Sequence, residues 1–282
     1  MDLLEAIILG IVQGLTEFIP ISSTAHLTLF GHIFGLIDSA NPEKWTAFIA
    51  VIQLGTLAAV LVYFYKDIIN ITTNFTKENI LKRLSYKNQS PDSRLGWMII
   101  LGTFPVVIIG LSFKGIIEGN LTKDPVVIAS SLIILALILG FAEKIAKFKK
   151  QLKDISIKDA IIVGFAQSLA LIPGASRSGT TITAGLFLGM NREVAARFSF
   201  LLSIPAIFAS GVYEFYKTFS YFDSQQYLSL IIATIFAGIS GYLSIAFLLK
   251  FLRTKSTLVF IIYRIVLGLV ILSFYFSHII EF

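Results

Sequence analysis

Two short polar stretches hold most of the residues that can do chemistry. In the first, Gln13 and Glu17 stand four residues apart, a spacing that puts both on one face of a helix, and they run into Pro20-Ile21-Ser22-Ser23-Thr24 and then His26. Glu17 with His26 offers acid–base chemistry, and a carboxylate beside an amide oxygen offers hard oxygen ligands for Mg²⁺ or Ca²⁺. The second stretch, Pro173-Gly-Ala-Ser-Arg-Ser-Gly-Thr-Thr181, joins a flexible turn to an arginine, several hydroxyls and the start of a helix. A helix start supplies free N–H groups and partial positive charge, and the Arg177 guanidinium grips paired oxygens in a planar fork. Phosphate is the ligand this combination suits. The plainer alternatives are a headgroup collar for Glu17 and a Ser/Gly packing turn for the second stretch.

The elements that must position these residues belong to a membrane protein. Of 282 residues, 56% are hydrophobic and 14% charged, against about 25% charged in soluble domains, and the mean hydropathy is +0.83. The apolar residues gather into six runs of spanning length, 46–65, 96–113, 125–142, 198–216, 227–249 and 257–277. Two further apolar regions, 1–37 and 157–190, are broken by the polar stretches into halves too short to cross. Irregular backbone at membrane depth survives only inside protein or along a wet cavity, so both are expected to be re-entrant helix-loop-helix hairpins. The chain has no cysteine, which excludes disulfides, thiolate metal sites and a cysteine nucleophile. The N-terminus lacks a basic leader and carries Asp2 and Glu5, so it is read as part of the fold rather than a cleaved signal.

The net charge of +6 does not point to nucleic acid, because the basic residues sit in membrane loops. Six Lys and Arg lie in 66–94, six in 143–158 and three in 250–255, while the other side carries Lys44, Lys114, Lys123 and Lys217. The basic loops are therefore expected in the cytoplasm and both termini outside. Gly10, Gln13 and Leu15 through Pro20 and Ser23 match Gly164, Gln167 and Leu169 through Pro173 and Ser176, with a one-residue shift before the proline. The reading is one membrane domain, 1–282, built from inverted repeats at about 1–146 and 157–282. The two hairpins then enter from opposite sides and meet near the midplane. The fold class is all-α integral membrane, with six transmembrane helices and two re-entrant hairpins in an inverted-topology repeat.

Gln13-Gly-Leu-Thr-Glu17-Phe-Ile-Pro-Ile-Ser-Ser23-Thr-Ala-His26 and Pro173-Gly-Ala-Ser-Arg-Ser-Gly-Thr-Thr181 closely resemble two motifs of the bacterial undecaprenyl-pyrophosphate phosphatases associated with bacitracin resistance. With the spans, the resemblance covers essentially the whole chain. That family takes Gln or Glu where this chain has Gln13, leaving one carboxylate fewer here, and Ala25 stands where some relatives have glycine. The resemblance implies hydrolysis of undecaprenyl pyrophosphate, a polyprenyl pyrophosphate lipid, to the monophosphate and inorganic phosphate in the bacterial cytoplasmic membrane. The carrier is thereby recycled for cell-wall polymers, with bacitracin resistance as a consequence.

On that reading Glu17, Ser23, His26 and Arg177 are catalytic, and Gln13, Ser22, Thr24, Ser176, Ser178 and Thr181 bind substrate. Arg177 with Ser176, Ser178 and Thr181 holds phosphate oxygens, and Glu17, assisted by Gln13, holds a divalent cation, Mg²⁺ or Ca²⁺. Either Ser23 attacks as nucleophile, activated by His26 or Glu17, or His26 directs a water. The rival from another class is a transporter of the lipid phosphate, since inverted repeats with broken helices also build secondary transporters. A structural scaffold leaves Glu17 and Arg177 unexplained, and a homo-oligomer stays open. Arg264 is read as snorkelling to the cytoplasmic end of the last span. Glu214 with Lys217 is read as an outer collar, and His32 and His278 as packed or interfacial.

Overall fold

Local signals set where most helices begin. Asp2 caps α1 (Leu3–Phe18) in a reciprocal box with Glu5, and Ser22 caps α2 (Ser23–Ile33). There follow α3 (Pro42–Tyr63), α4 (Tyr65–Thr76), α5 (Pro91–Ser112, capped by Ser90), α6 (Lys114–Glu118) and α7 (Pro125–Ile145, capped by Asp124). The second half holds α8 (Ile157–Ser168, capped by Ser156), α9 (Arg177–Phe187, capped by Ser176), α10 (Arg192–Thr218), α11 (Ser224–Leu252) and α12 (Leu258–Phe276). Proline opens α3, α5 and α7, where its missing N–H costs nothing. The computed structural model describes residues 1–38, 41–218 and 224–277, so His278 lies outside the described residues.

Six helices, α3, α5, α7, α10, α11 and α12, are long and apolar enough to cross a membrane. They match the six runs expected from hydropathy, with ends that extend into charged residues such as Arg192. Among the described residues the chain is helical apart from turns and a single β-bridge between Lys150 and Met190. Large apolar side chains face outward, Leu111 at 71% and Leu243 at 61% exposure, while Gln13, Glu17, Gln167, Ser203 and Arg264 are buried. That inside-out distribution suits a lipid solvent, and the chain is a multi-pass membrane protein. The segment 66–94, read from sequence only as a basic loop, contains α4, which runs into a π-helical turn at Lys77–Leu81 and lies against α5.

Helices α1, α2, α8 and α9, of 16, 11, 12 and 11 residues, form two hairpins. An 11-residue helix spans only about 16 Å, half the hydrocarbon thickness. The first hairpin starts beside the beginning of α11, where Ser229 Oγ donates to the Met1 carbonyl. The second starts at the opposite end, where Lys150 pairs with Asp159 at 2.8 Å. Helix packing is exchanged between the halves: α1 lies on α11 and α8 on α5, while α3 packs against α11 and α10 against α5. Close approach requires glycine at both hairpin contacts, because a Cβ on Gly10 would run into the Ala233 carbonyl and one on Gly164 into that of Gly102.

Candidate active site at the hairpin tips

Both tips turn on a serine in an unusual backbone conformation. Ser22 has φ 76° and Ser176 has φ 68°, and each side chain accepts from the N–H three residues on, Ala25 at 3.3 Å and Gly179 at 3.2 Å. Left-handed non-glycine residues cost about 1–3 kcal/mol and cluster at functional sites. These two caps correct the repeat register. Ser22 matches Ser176 at the same offset that relates Gln13 to Gln167, so no shift is needed, and Ser23 is the counterpart of Arg177. Matching the prolines had hidden this.

The tips meet around one carboxylate. Glu17 is 5% exposed, its Oε2 accepts from Gln13 Nε2 at 2.9 Å and Ser23 Oγ at 2.8 Å, and its Oε1 accepts from Arg177 Nη2 at 3.1 Å. The Glu17–Arg177 ion pair joins residues 160 apart in sequence. Arg177 Nη1 also donates to the Ser199 carbonyl at 3.3 Å, and Ser178 Oγ to the Ile19 carbonyl at 3.2 Å, so one tip is bonded to the backbone of the other. Glu17 as an exposed collar is ruled out by its burial.

A cavity of about 540 Å³ opens from this point toward the ends of α5 and α10. Six of the ten residues picked from sequence line it: Glu17, Ser22, Ser23, Thr24, Ser176 and Arg177. The other four stand behind the wall. Gln13 and Ser178 hold the tip as described, and Thr181 Oγ1 lies 2.6 Å from Ser199 Oγ and donates to the Arg177 carbonyl at 2.7 Å. His26 turns away from Ser23. Its Nδ1 is 2.7 Å from the Ser22 carbonyl, which makes Nδ1 the protonated nitrogen, and its Nε2 accepts from the Tyr263 hydroxyl at 2.7 Å.

Sequence reasoning missed several residues of this region. Arg264 does not snorkel: it is fully buried, and its Nη2 donates to the carbonyls of Ala175 at 3.0 Å and Gly174 at 3.3 Å, inside the second tip. Its neighbour Tyr263 holds His26. Glu214, read as an outer collar, is buried and lines the cavity with Gln53, Lys114 and Lys123. Lys123 donates to Thr46 Oγ1 at 2.7 Å. Gln167 lines the inner cavity, and only its match to Gln13 marked it beforehand. His32 lies in the last turn of α2, outside the cavity lining.

A divalent cation needs oxygen ligands. Among the described residues no three His, Asp or Glu gather in one place. Glu17 nonetheless has the buried Gln13 Oε1 as a neighbour, and that amide oxygen has no hydrogen-bond partner. One carboxylate with an amide oxygen, completed by phosphate oxygens and water, fits the way Mg²⁺ is usually held at phosphate sites.

Six membrane-length helices enclosing a buried carboxylate, arginine and serine at two hairpin tips define a polytopic membrane protein with a polar cavity inside it. The chain belongs to the bacitracin resistance protein BacA family, whose profile matches residues 6–270. Relatives named undecaprenyl-diphosphatase include one from Syntrophobacter fumaroxidans, 57% identical over 99% of both chains. Another, from Chloroherpeton thalassium, is 51% identical over 97% of this chain and 96% of its own. A third, from Chlorobium phaeobacteroides, is 52% identical over 97% of each.

Proposed function

We infer that this chain hydrolyses undecaprenyl pyrophosphate to undecaprenyl phosphate and inorganic phosphate, recycling the lipid carrier for cell-wall polymer synthesis and so conferring bacitracin resistance. The observation that carries the chemistry is Ser23 Oγ donating to Glu17 at 2.8 Å while Arg177 binds the other oxygen of that carboxylate at 3.1 Å. A nucleophile, its base and an anion-binding cation thus share one cavity wall. The Ser23 oxygen attacks the terminal phosphorus and its proton passes to Glu17. The bridging P–O bond breaks and undecaprenyl phosphate leaves. Water then hydrolyses the phosphoserine, releasing inorganic phosphate and restoring the hydroxyl.

Arg177 and the Ser176 tip hold the phosphate oxygens, while Ser22 and Thr24 face them from the first tip. Gln13 orients Glu17, Thr181 braces the Arg177 backbone, Ser178 ties the second tip to the Ile19 carbonyl of the first, and His26 fixes the first tip through Ser22 and Tyr263. Glu17 with Gln13 Oε1 would hold Mg²⁺ or Ca²⁺, which when bound offsets the negative charge of the phosphates. The prenyl tail stays in lipid.

Setting is part of the same proposal: the bacterial cytoplasmic membrane, basic loops in the cytoplasm, both termini outside, and the two hairpins re-entrant. Exchanged packing of α1 on α11 and α8 on α5, with the hairpins starting from opposite ends, supports an inverted repeat. The cavity then faces outward. The test is phosphate release by purified protein given undecaprenyl pyrophosphate, with and without EDTA. Release that EDTA abolishes and Mg²⁺ or Ca²⁺ restores is expected. No release under either condition overturns the activity, and release indifferent to EDTA overturns the cation.

A further inference from the structure

We propose that Gln167 is a substrate-binding residue whose side-chain amide donates to a phosphate oxygen of the pyrophosphate, a contact that rests on the phosphatase reading above. Gln167 sits near the end of α8, is 1% exposed, and lines the cavity together with Ser176 and Arg177. Neither Nε2 nor Oε1 has a hydrogen-bond partner. Because both atoms are orphaned, exchanging amide nitrogen and oxygen would change nothing. A buried amide without partners is costly, and such groups in native proteins usually mark a bound water or ligand.

Comparison of the two hairpins explains why both ends of this amide are spare. In the first hairpin Gln13 donates to Glu17, one helical turn on, so that glutamine serves the protein's own carboxylate. In the second hairpin the residue one turn after Gln167 is Leu171, which offers no acceptor. The helix geometry that orients Gln13 is retained, but the anion it would meet is missing from the chain. A phosphate oxygen in the cavity supplies one. The neutral amide suits a crowded anion site, since it adds a donor without a second fixed charge that would hold product phosphate.

Gln167→Leu and Gln167→Glu in the full-length purified protein test this, with Arg177→Lys alongside. The leucine variant is expected to lose about tenfold to a hundredfold in kcat/KM, the range for a hydrogen bond to a charged group. Its thermal midpoint should be unchanged or raised, because an unsatisfied amide has been replaced by hydrocarbon. Gln167→Glu should lose more, and its activity relative to wild type should recover as pH is lowered and the introduced carboxyl protonates. A structural role would not produce that recovery. Gln167→Leu turning over within twofold of wild type overturns the inference, as does a Gln167→Glu ratio flat with pH should the leucine variant fail to fold. Full activity in Gln167→Leu with loss in Arg177→Lys sinks Gln167 alone; full activity in both sinks the phosphate site itself.

Discussion

In the proposed mechanism the hydrogen bond from Ser23 to Glu17 both holds the nucleophile and supplies its base. With Oγ 2.8 Å from Glu17, the hydroxyl proton has somewhere to go, whereas His26 is engaged on both ring nitrogens away from the cavity. Ser23→Ala is therefore expected to lower turnover by several orders of magnitude, and rapid quenching of wild type with labelled substrate should trap phosphate on the chain. A residual rate within about a hundredfold of wild type, the scale of one lost positioning hydrogen bond, would show that water attacks instead. Arg177→Lys keeps the charge but loses the fork that reaches Glu17 and the Ser199 carbonyl together, so most activity should go; near-normal turnover would mean a point charge suffices. Glu17, Ser23 and Arg177 were legible in the sequence because charged and hydroxyl groups stand out against apolar surroundings. Which of Glu17 and His26 the Ser23 hydroxyl meets was not, since separation in sequence says nothing about which side chain turns toward it.

At the level of elements, α12 ties the two hairpins together. Tyr263 bonds His26 of the first tip, and the next residue, Arg264, bonds the Gly174 and Ala175 carbonyls of the second. Gly179 leaves room for this, since a Cβ there would come within 2.6 Å of Arg264 Nη1. Arg264→Leu strips the donor from those carbonyls and frees the loop that aims Arg177. A misplacement near 1 Å can cost about a hundredfold in rate, so kcat should fall by one to two orders of magnitude, with Arg264→Lys recovering part of it. An Arg264→Leu enzyme with wild-type kcat would show that the loop holds its own shape. The spans were readable from hydropathy because lipid imposes length and apolarity on each helix alone. Arg264 was misread because its partners are backbone carbonyls, which have no sequence signature, and position in a span says only how far a side chain must reach to find water.

Across the whole molecule the two ends are built differently. At the basic end Arg192 pairs with Glu143, Arg197 with Asp67 and Arg253 with Glu193, linking the start of α10 to α7, α4 and the turn that follows α11. The cavity instead runs to the other end, past Gln53, Tyr213 and Lys123. If the basic loops are cytoplasmic, this cavity opens Ser23 and Arg177 to the outside, and the proposed substrate is a lipid pyrophosphate exposed on the outer leaflet. The cysteine-free chain allows a direct check. Lys153→Cys lies on an exposed turn of the basic end, and Gly115→Cys lies in α6 at the mouth end, where an added side chain meets no atom within 4 Å. An impermeant thiol reagent applied to intact cells should label position 115 and spare position 153 until the membrane is opened. Labelling of 153 with sparing of 115 would invert the orientation, turn the cavity toward the cytoplasm, and require the substrate pyrophosphate to be presented on the inner leaflet.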